Sequence, residues 1–171
     1  GVSRAELWHL LERQMARRSY IVQQAISLAH YQGRAFDVRL LAQKDGVGRW
    51  QVSGMGIRVA GKGSITTHVP NGGYIAPASE VLPAVFAANA KQVQDEVSRL
   101  AMVIAPRVER GYNGLFGEMS MDIGLDAQGH PWFFEANAKP MRFDERGIRR
   151  AGLGNLVAYA KYLAGMTDGG R

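Results

Sequence analysis

The chain has 171 residues, 46% hydrophobic and 21% charged, no cysteine, and a formal net charge of +6 from 21 Lys+Arg against 15 Asp+Glu. That is enough chain for one domain with a sizeable core. The missing cysteine excludes a disulfide framework, a thiolate nucleophile and a Cys–zinc site, and fits a reducing cytosol; no apolar run reaches the roughly 20 residues of a membrane span. A basic balance admits nucleic acid, an anionic surface or a polyphosphate as partner. Outside Arg13/Arg17/Arg18 and Arg146/Arg149/Arg150 the cations are scattered, with no aromatic-plus-basic stripe. Nucleic acid is therefore the least favoured of these partners.

In chain order, residues 1–19 hold a leading helix. Ser3-Arg4-Ala5-Glu6 makes a capping box, and Leu7, Leu10, Leu11 and Met15 form an apolar stripe at helical spacing. A charged amphipathic start is not a signal peptide. Residues 20–77 carry strands. Tyr20-Ile21-Val22 is strand-like, and residues 23–26 continue it or leave it. Gln32-Gly33-Arg34 turns into a strand over 35–43, residues 44–49 turn again, and 50–59 return. Residues 61–77 read as a loop. Its Gly61-Lys62-Gly63-Ser64 and Asn71-Gly72-Gly73 resemble phosphate-cradling loops only faintly and serve equally as plain turns.

Residues 78–111 predict one long helix, because Leu82, Phe86, Ala90, Val93, Val97, Leu100, Ile104 and Val108 recur three and four apart. Pro83 fits its first turn, and Pro106 predicts a kink near its end. A hairpin occupies 117–140, and a last helix, about 153–163, lies within residues 141–171. Antiparallel strands with helices packed on one side define an α+β domain.

The chemistry concentrates in the hairpin. By alternation Glu118, Ser120 and Asp122 share one strand face, and Phe133, Glu135 and Asn137 share a face of the next. Counting outward from the turn Asp126-Ala127-Gln128-Gly129 puts Asp122 opposite or diagonal to Glu135. Asp, Glu and Asn offer only oxygen, which suits Mg²⁺ or Mn²⁺ better than Zn²⁺. The same carboxylates could simply be a solvated sheet face. Asp37 and Arg39 share a face of a mostly apolar strand, either as an ion pair or as groups for sugar hydroxyls and for phosphate or carboxylate; Arg58 on the next strand could join them. There is no Walker motif, no GxGxxG and no Ser/His/Asp pattern. His9, His30, His68 and His130 lack metal-ligand spacing.

Tyr20-Ile-Val-Gln-Gln-Ala-Ile26, Phe36-Asp-Val-Arg39 and Asp122 followed by Glu135-Ala-Asn137 occur in the order of an ATP-grasp fold. Gly33-Arg-Ala-Phe-Asp-Val-Arg39, Arg58-Val-Ala60, Gly72-Gly73 and Glu135-Ala-Asn-Ala-Lys-Pro140 resemble the YheC/YheD family of endospore coat-associated proteins. The resemblance covers nearly all of the chain from Tyr20 onward. It implies an ATP-grasp-like α+β fold in which residues 20–24 are a hinge strand between two lobes. Gln23, Gln24 and Ala25 would meet the adenine edge. Asp37 would lie near ribose and phosphates, and Arg39, with Arg58, would face the transferred phosphoryl group or a substrate carboxylate. Asp122, Glu135 and Asn137 would hold Mg²⁺. His68, where the family more often has Asn, would lie near the metals, and Lys139 and Arg142 could reach phosphate or acyl substrate.

The implied chemistry is ATP-dependent ligation of an unidentified carboxylate, through an acylphosphate, to an amine or thiol. A protein nucleophile is not needed. The resemblance also implies an earlier lobe with a Lys strand and a Gly-rich lid, so the chain reads as the C-terminal portion of an ATP-grasp domain, which alone would turn over nothing. The alternative is a spore-coat-associated binding or structural module that keeps the fold without catalysis.

Overall fold

The computed structural model describes residues 2–15, 19–21, 23–64, 66–67, 72–140 and 143–166. His68, Asn71 and Arg142 lie outside them. The elements are helix α1 (Arg4–Met15), strands β1 (His30–Tyr31), β2 (Arg34–Lys44), β3 (Trp50–Val59) and β4 (Tyr74–Pro77), helices α2 (Ala78–Phe86) and α3 (Ala90–Gly111), strands β5 (Glu118–Leu125) and β6 (Pro131–Asn137), and helix α4 (Arg146–Leu163). The strands form one antiparallel sheet in the order β4-β3-β2-β5-β6, with β1 paired to the start of β2.

Alternation along the two central strands sets the layers. Phe36, Val38, Leu40 and Ala42 of β2 and Met119, Met121, Ile123 and Leu125 of β5 are fully buried on one face. They pack against Val81, Leu82 and Phe86 of α2 and Val93, Val97, Ala101 and Ala105 of α3. Alanines on α3 let its backbone approach the sheet, and each large side chain buried here contributes about 1.5–3 kcal/mol. This is the α+β arrangement expected. The opposite face carries Asp37, Arg39, Arg58 and Asp122, and α4 lies across part of it. Gly54 and Gly56 make room for that helix. A Cβ at Gly54 would stand 2.6 Å from Ile148 Cγ1, and one at Gly56 would stand 1.8 Å from Glu145 Oε1.

A buried polar network anchors α4. Gln43 Nε2 donates to Glu118 Oε2 at 3.0 Å and to the Gly152 carbonyl at 3.2 Å. Ser53 Oγ donates to Gln43 Oε1 at 2.6 Å, and Asn155 Nδ2 to Ser53 Oγ at 2.8 Å. At the same end of the sheet Lys44 donates to Glu109 Oε1 at 2.5 Å, and Trp50 Nε1 to Glu109 Oε2 at 3.0 Å. That latch ties α3 to β2 and β3.

Several expectations need correction. The described residues before Leu28 form no strand: Tyr20 and Ile21 are 50% and 87% exposed, and β-prone residues without a ladder partner do not make a strand. Instead Ala29 donates to the Leu125 carbonyl at 2.7 Å, and Leu28 bridges Asp126, which lays this segment along the end of β5. Residues 74–77, read as loop, form edge strand β4 against β3. The long helix is two helices. Ala87, at φ 47, donates to the Pro83 carbonyl and closes α2, and a short 3-10 turn over Ala87–Asn89 leads into α3. Pro83 sits inside α2 rather than in its first turn, whereas α3 runs on through Pro106.

The last helix begins at Arg146, earlier than its apolar pattern indicates, and of that pattern only Tyr159 is buried. In α1 the capping box forms, with Ser3 N donating to Glu6 Oε2 at 2.8 Å and Glu6 N to Ser3 Oγ at 3.3 Å. Its apolar stripe nevertheless buries nothing.

Candidate functional site

The ladder registers bring the polar residues together. Asp37 pairs with Arg58 across β2 and β3, Arg39 with Asp122 across β2 and β5, and Asp122 with Glu135 across β5 and β6. Two carboxylates thus face each other at the hairpin, with two arginines on neighbouring strands. Past Asp122 the alternation breaks. A β-bulge shifts the register so that Ile123 pairs with Phe133, leaving Phe134 as the extra residue. Phe134 therefore turns onto the cleft face, where a Cβ at Gly124 would meet its ring at 2.5 Å and Leu28 Cδ2 at 2.7 Å. The expected shared face of Phe133 and Glu135 is interrupted there.

Arg58 is the hub. Its Nε donates to Asp37 Oδ1 at 2.9 Å and its Nη2 to Asp37 Oδ2 at 2.6 Å, and the same Nη2 lies 2.8 Å from Asp122 Oδ2. Thr67 Oγ1 adds a third bond to Asp37 Oδ2 at 2.7 Å. With its side chain only 4% exposed, Asp37 has both oxygens engaged inside the protein. Its contacts are with Arg58 and Thr67. Burial works against the Arg58 charge, but Asp37 and Asp122 outweigh it and hold the guanidinium above its usual pKa. Arg39 is not paired with Asp37. Its guanidinium lies 5.2 Å from the Phe143 ring centroid, and its buried Nε has no hydrogen-bond partner.

Burial raises the pKa of Asp122 above the ordinary carboxylate value; Arg58 opposes this, and the nearby Glu135 charge adds to it. Asn137 Nδ2 donates to Glu135 Oε1 at 3.1 Å, which holds that carboxylate on the cleft side. Among the described residues no hydrogen bond reaches Asp122 Oδ1, and no group of three or more His, Cys, Asp or Glu stands ready to hold a metal. The donor set is two opposed carboxylates and an amide. That fits Mg²⁺, which takes one or two carboxylates and completes its shell with water and phosphate oxygens. It does not fit a closed all-protein cage.

A cleft of about 1080 Å³ opens over this floor. Asp37, Arg58, Asp122 and Glu135 line one side, with Gln23, Gln24 and Ala25 beside them. Ile26, Leu28, Phe133 and Phe134 give it an apolar wall, and Thr66 and Thr67 close it above Asp37. Alternation and spacing identify Asp37, Arg58, Asp122 and Glu135, and the family resemblance points to Gln23, Gln24 and Ala25, but both miss the wall and the threonines. The signal for Phe134 was a bulge that alternation does not show, and that for Thr67 was adjacency to the loop beyond β3. Lys139 is exposed beyond the end of β6 and does not line this cleft.

An antiparallel sheet with helices behind it, and a cleft in front holding paired carboxylates, an arginine and an apolar wall, has the form of an ATP-grasp protein. Residues 2–163 match the profile of the YheC/D-like ATP-grasp family, and the chain belongs to that family. It is 33% identical over 123 residues to the endospore coat-associated protein YheD of Bacillus subtilis (strain 168). That alignment covers 72% of this chain and 27% of the length of YheD. Among the described residues no helix is long and apolar enough to cross a membrane.

Proposed function

We propose that the cleft binds ATP with Mg²⁺ (or Mn²⁺), as part of an ATP-dependent ligase that joins a carboxylate to an amine or thiol. The observation that carries this reading is the meeting of Asp122, Glu135 and Arg58 on one cleft floor beside an apolar wall. Asp122, Glu135 and Asn137 would hold the ion, which when bound supplies positive charge to the phosphate oxygens. Arg58, fixed by Asp37, presents a permanent positive charge at the same point. Arg39, stacked on Phe143 and unpaired at Nε, is the cation with donors to spare for a phosphoryl group or substrate carboxylate. Ile26, Leu28, Phe133 and Phe134 offer apolar contact to a base, with the backbone of Gln23, Gln24 and Ala25 along its edge.

Catalysis on this reading is positioning and charge stabilisation, without a protein nucleophile. The acyl substrate would be an unidentified carboxylate. The endospore-coat association of YheD supports a second reading, a coat-associated module that binds nucleotide without turnover, made in the cytoplasm and assembled at the spore coat.

Calorimetric titration of ADP into this chain, with and without Mg²⁺, tests the binding reading. Saturable binding should strengthen with Mg²⁺, and Glu135→Gln should remove that gain. Absence of nucleotide binding by the folded chain would overturn it. Release of ADP from ATP by a full-length member of the family, given a carboxylate and an amine, separates ligase from module.

A further inference from the structure

A second cleft, of about 740 Å³, lies beside the first, between the turn Gln32-Gly33-Arg34 and the loop over residues 61–64. Ile26 and Leu28 line both clefts, so the two adjoin along one segment of chain. The charge of its lining has a single sign. Arg34 and Lys62 border it with His30, and among the described residues no Asp or Glu does. Among the described residues neither cation has an ion-pair partner. Arg34 lies over the Tyr74 ring, 5.8 Å from the centroid, and Lys62 is exposed. Gly33 and Gly63 both border the cleft at φ +73, and a Cβ at either would meet nothing within 4 Å, so the backbone there is open to a ligand. The Ser27 hydroxyl adds a donor.

Two uncompensated cations in a concavity without carboxylates focus a positive potential on whatever enters. The volume suits part of an organic acid and exceeds what one small ion fills. We propose that this second cleft binds an anionic group, carboxylate or phosphate, carried by the acid whose reacting carboxylate lies in the first cleft. The substrate class is then an acid with at least one further negative group, and a simple monoacid is disfavoured. Binding energy gathered at Arg34 and Lys62, away from the reacting atoms, would hold the carboxylate in place. The identity of what is joined rests on the ligase reading; the anion site itself does not.

Amide resonances of Gly33, Gly61, Gly63 and Ser64 in isotope-labelled chain report on the site. One titration uses inorganic phosphate and a second uses succinate. Saturable shifts of these amides are expected in at least one arm, phosphate pointing to a phosphorylated acid and succinate to a polycarboxylate. In Arg34→Gln/Lys62→Gln the affinity should fall at least tenfold, while the spectrum stays dispersed and ADP binding in the first cleft persists. No saturable shift in either arm, or equal shifts in the double variant, overturns the proposal. Anion binding that survives in a chain unable to bind ADP would remove the ligase reading and leave this site standing.

Discussion

Asp37 grips Arg58 with both carboxylate oxygens, at 2.9 and 2.6 Å, from the directly opposite position on the neighbouring strand. The side chains are 4% and 13% exposed, so the pair is shielded from solvent. Removing one partner of such a pair strands the other charge. Asp37→Asn should therefore destabilise the fold by about 2–3 kcal/mol, at the low end for a buried pair because Asp122 still holds Arg58. Arg58→Met should do similar damage, and the double variant less than the two together. Urea unfolding of all three measures this; strictly additive losses would show that Asp37 does not act through Arg58.

The latch at the other end of the sheet sets a pH window. Burial disfavours the Glu109 charge, but hydrogen bonds from Lys44, Trp50 and the Phe116 amide outweigh it, and its pKa lies below the ordinary 4.5. Burial likewise disfavours charged Lys44, yet Glu109 lifts its pKa above the ordinary 10.5. A depressed carboxylate contributes stability above its unfolded pKa and loses it as pH falls through the folded one; a raised lysine contributes below its unfolded pKa and loses it as pH rises through the folded one. The latch should be whole between roughly pH 5 and 10 and weaken on either side. Glu109→Gln should cost about 2–3 kcal/mol at pH 7 and much less at pH 3. Urea midpoints against pH test it, and an equal loss at both pH values would refute the linkage.

Gly124 tests whether the apolar wall matters to binding. A Cβ there would press on Phe134 and Leu28 at 2.5 and 2.7 Å, both lining the first cleft. Gly124→Ala should cost about 1–3 kcal/mol by overpacking. It should also weaken ADP binding several-fold while sparing the Mg²⁺ dependence, because the charged floor is untouched. Calorimetry on the variant decides; unchanged affinity with lowered stability would take the wall out of the nucleotide reading.

How much of this was legible in the sequence depends on how far each contact reaches. The hairpin was, because turn and strands are contiguous and a count outward from the turn brings Asp122 opposite or diagonal to Glu135; that the two pair directly depends on the bulge at Phe134. Asp37 and Arg39 were legible as a shared face, but the choice between Arg39 and Arg58 as partner depends on how β3 registers against β2. The bulge at Phe134 breaks a period-two pattern without a glycine to announce it. The break at Ala87 leaves the apolar spacing on either side undisturbed, so periodicity runs straight across it. The Tyr20-Ile21 pattern failed for the opposite reason: its composition favours a strand, but the described structure gives it no neighbour to bond.

Arg39 offers the sharpest separation of stability from function. Its buried Nε has no partner, and its guanidinium stacks on Phe143 at 5.2 Å. An unsatisfied buried donor costs about 1–3 kcal/mol that an apolar side chain of similar length would not. Arg39→Met should therefore leave stability unchanged or raise it by about 1 kcal/mol, since the methionine still packs against Phe143. If Arg39 serves the terminal phosphoryl group, the same variant should lose affinity for a non-hydrolysable ATP analogue by tenfold or more and barely change affinity for ADP. Paired urea and calorimetric measurements separate the cases. A variant that is less stable and binds both nucleotides alike would make Arg39 a packing residue and leave Arg58 as the phosphate-facing cation.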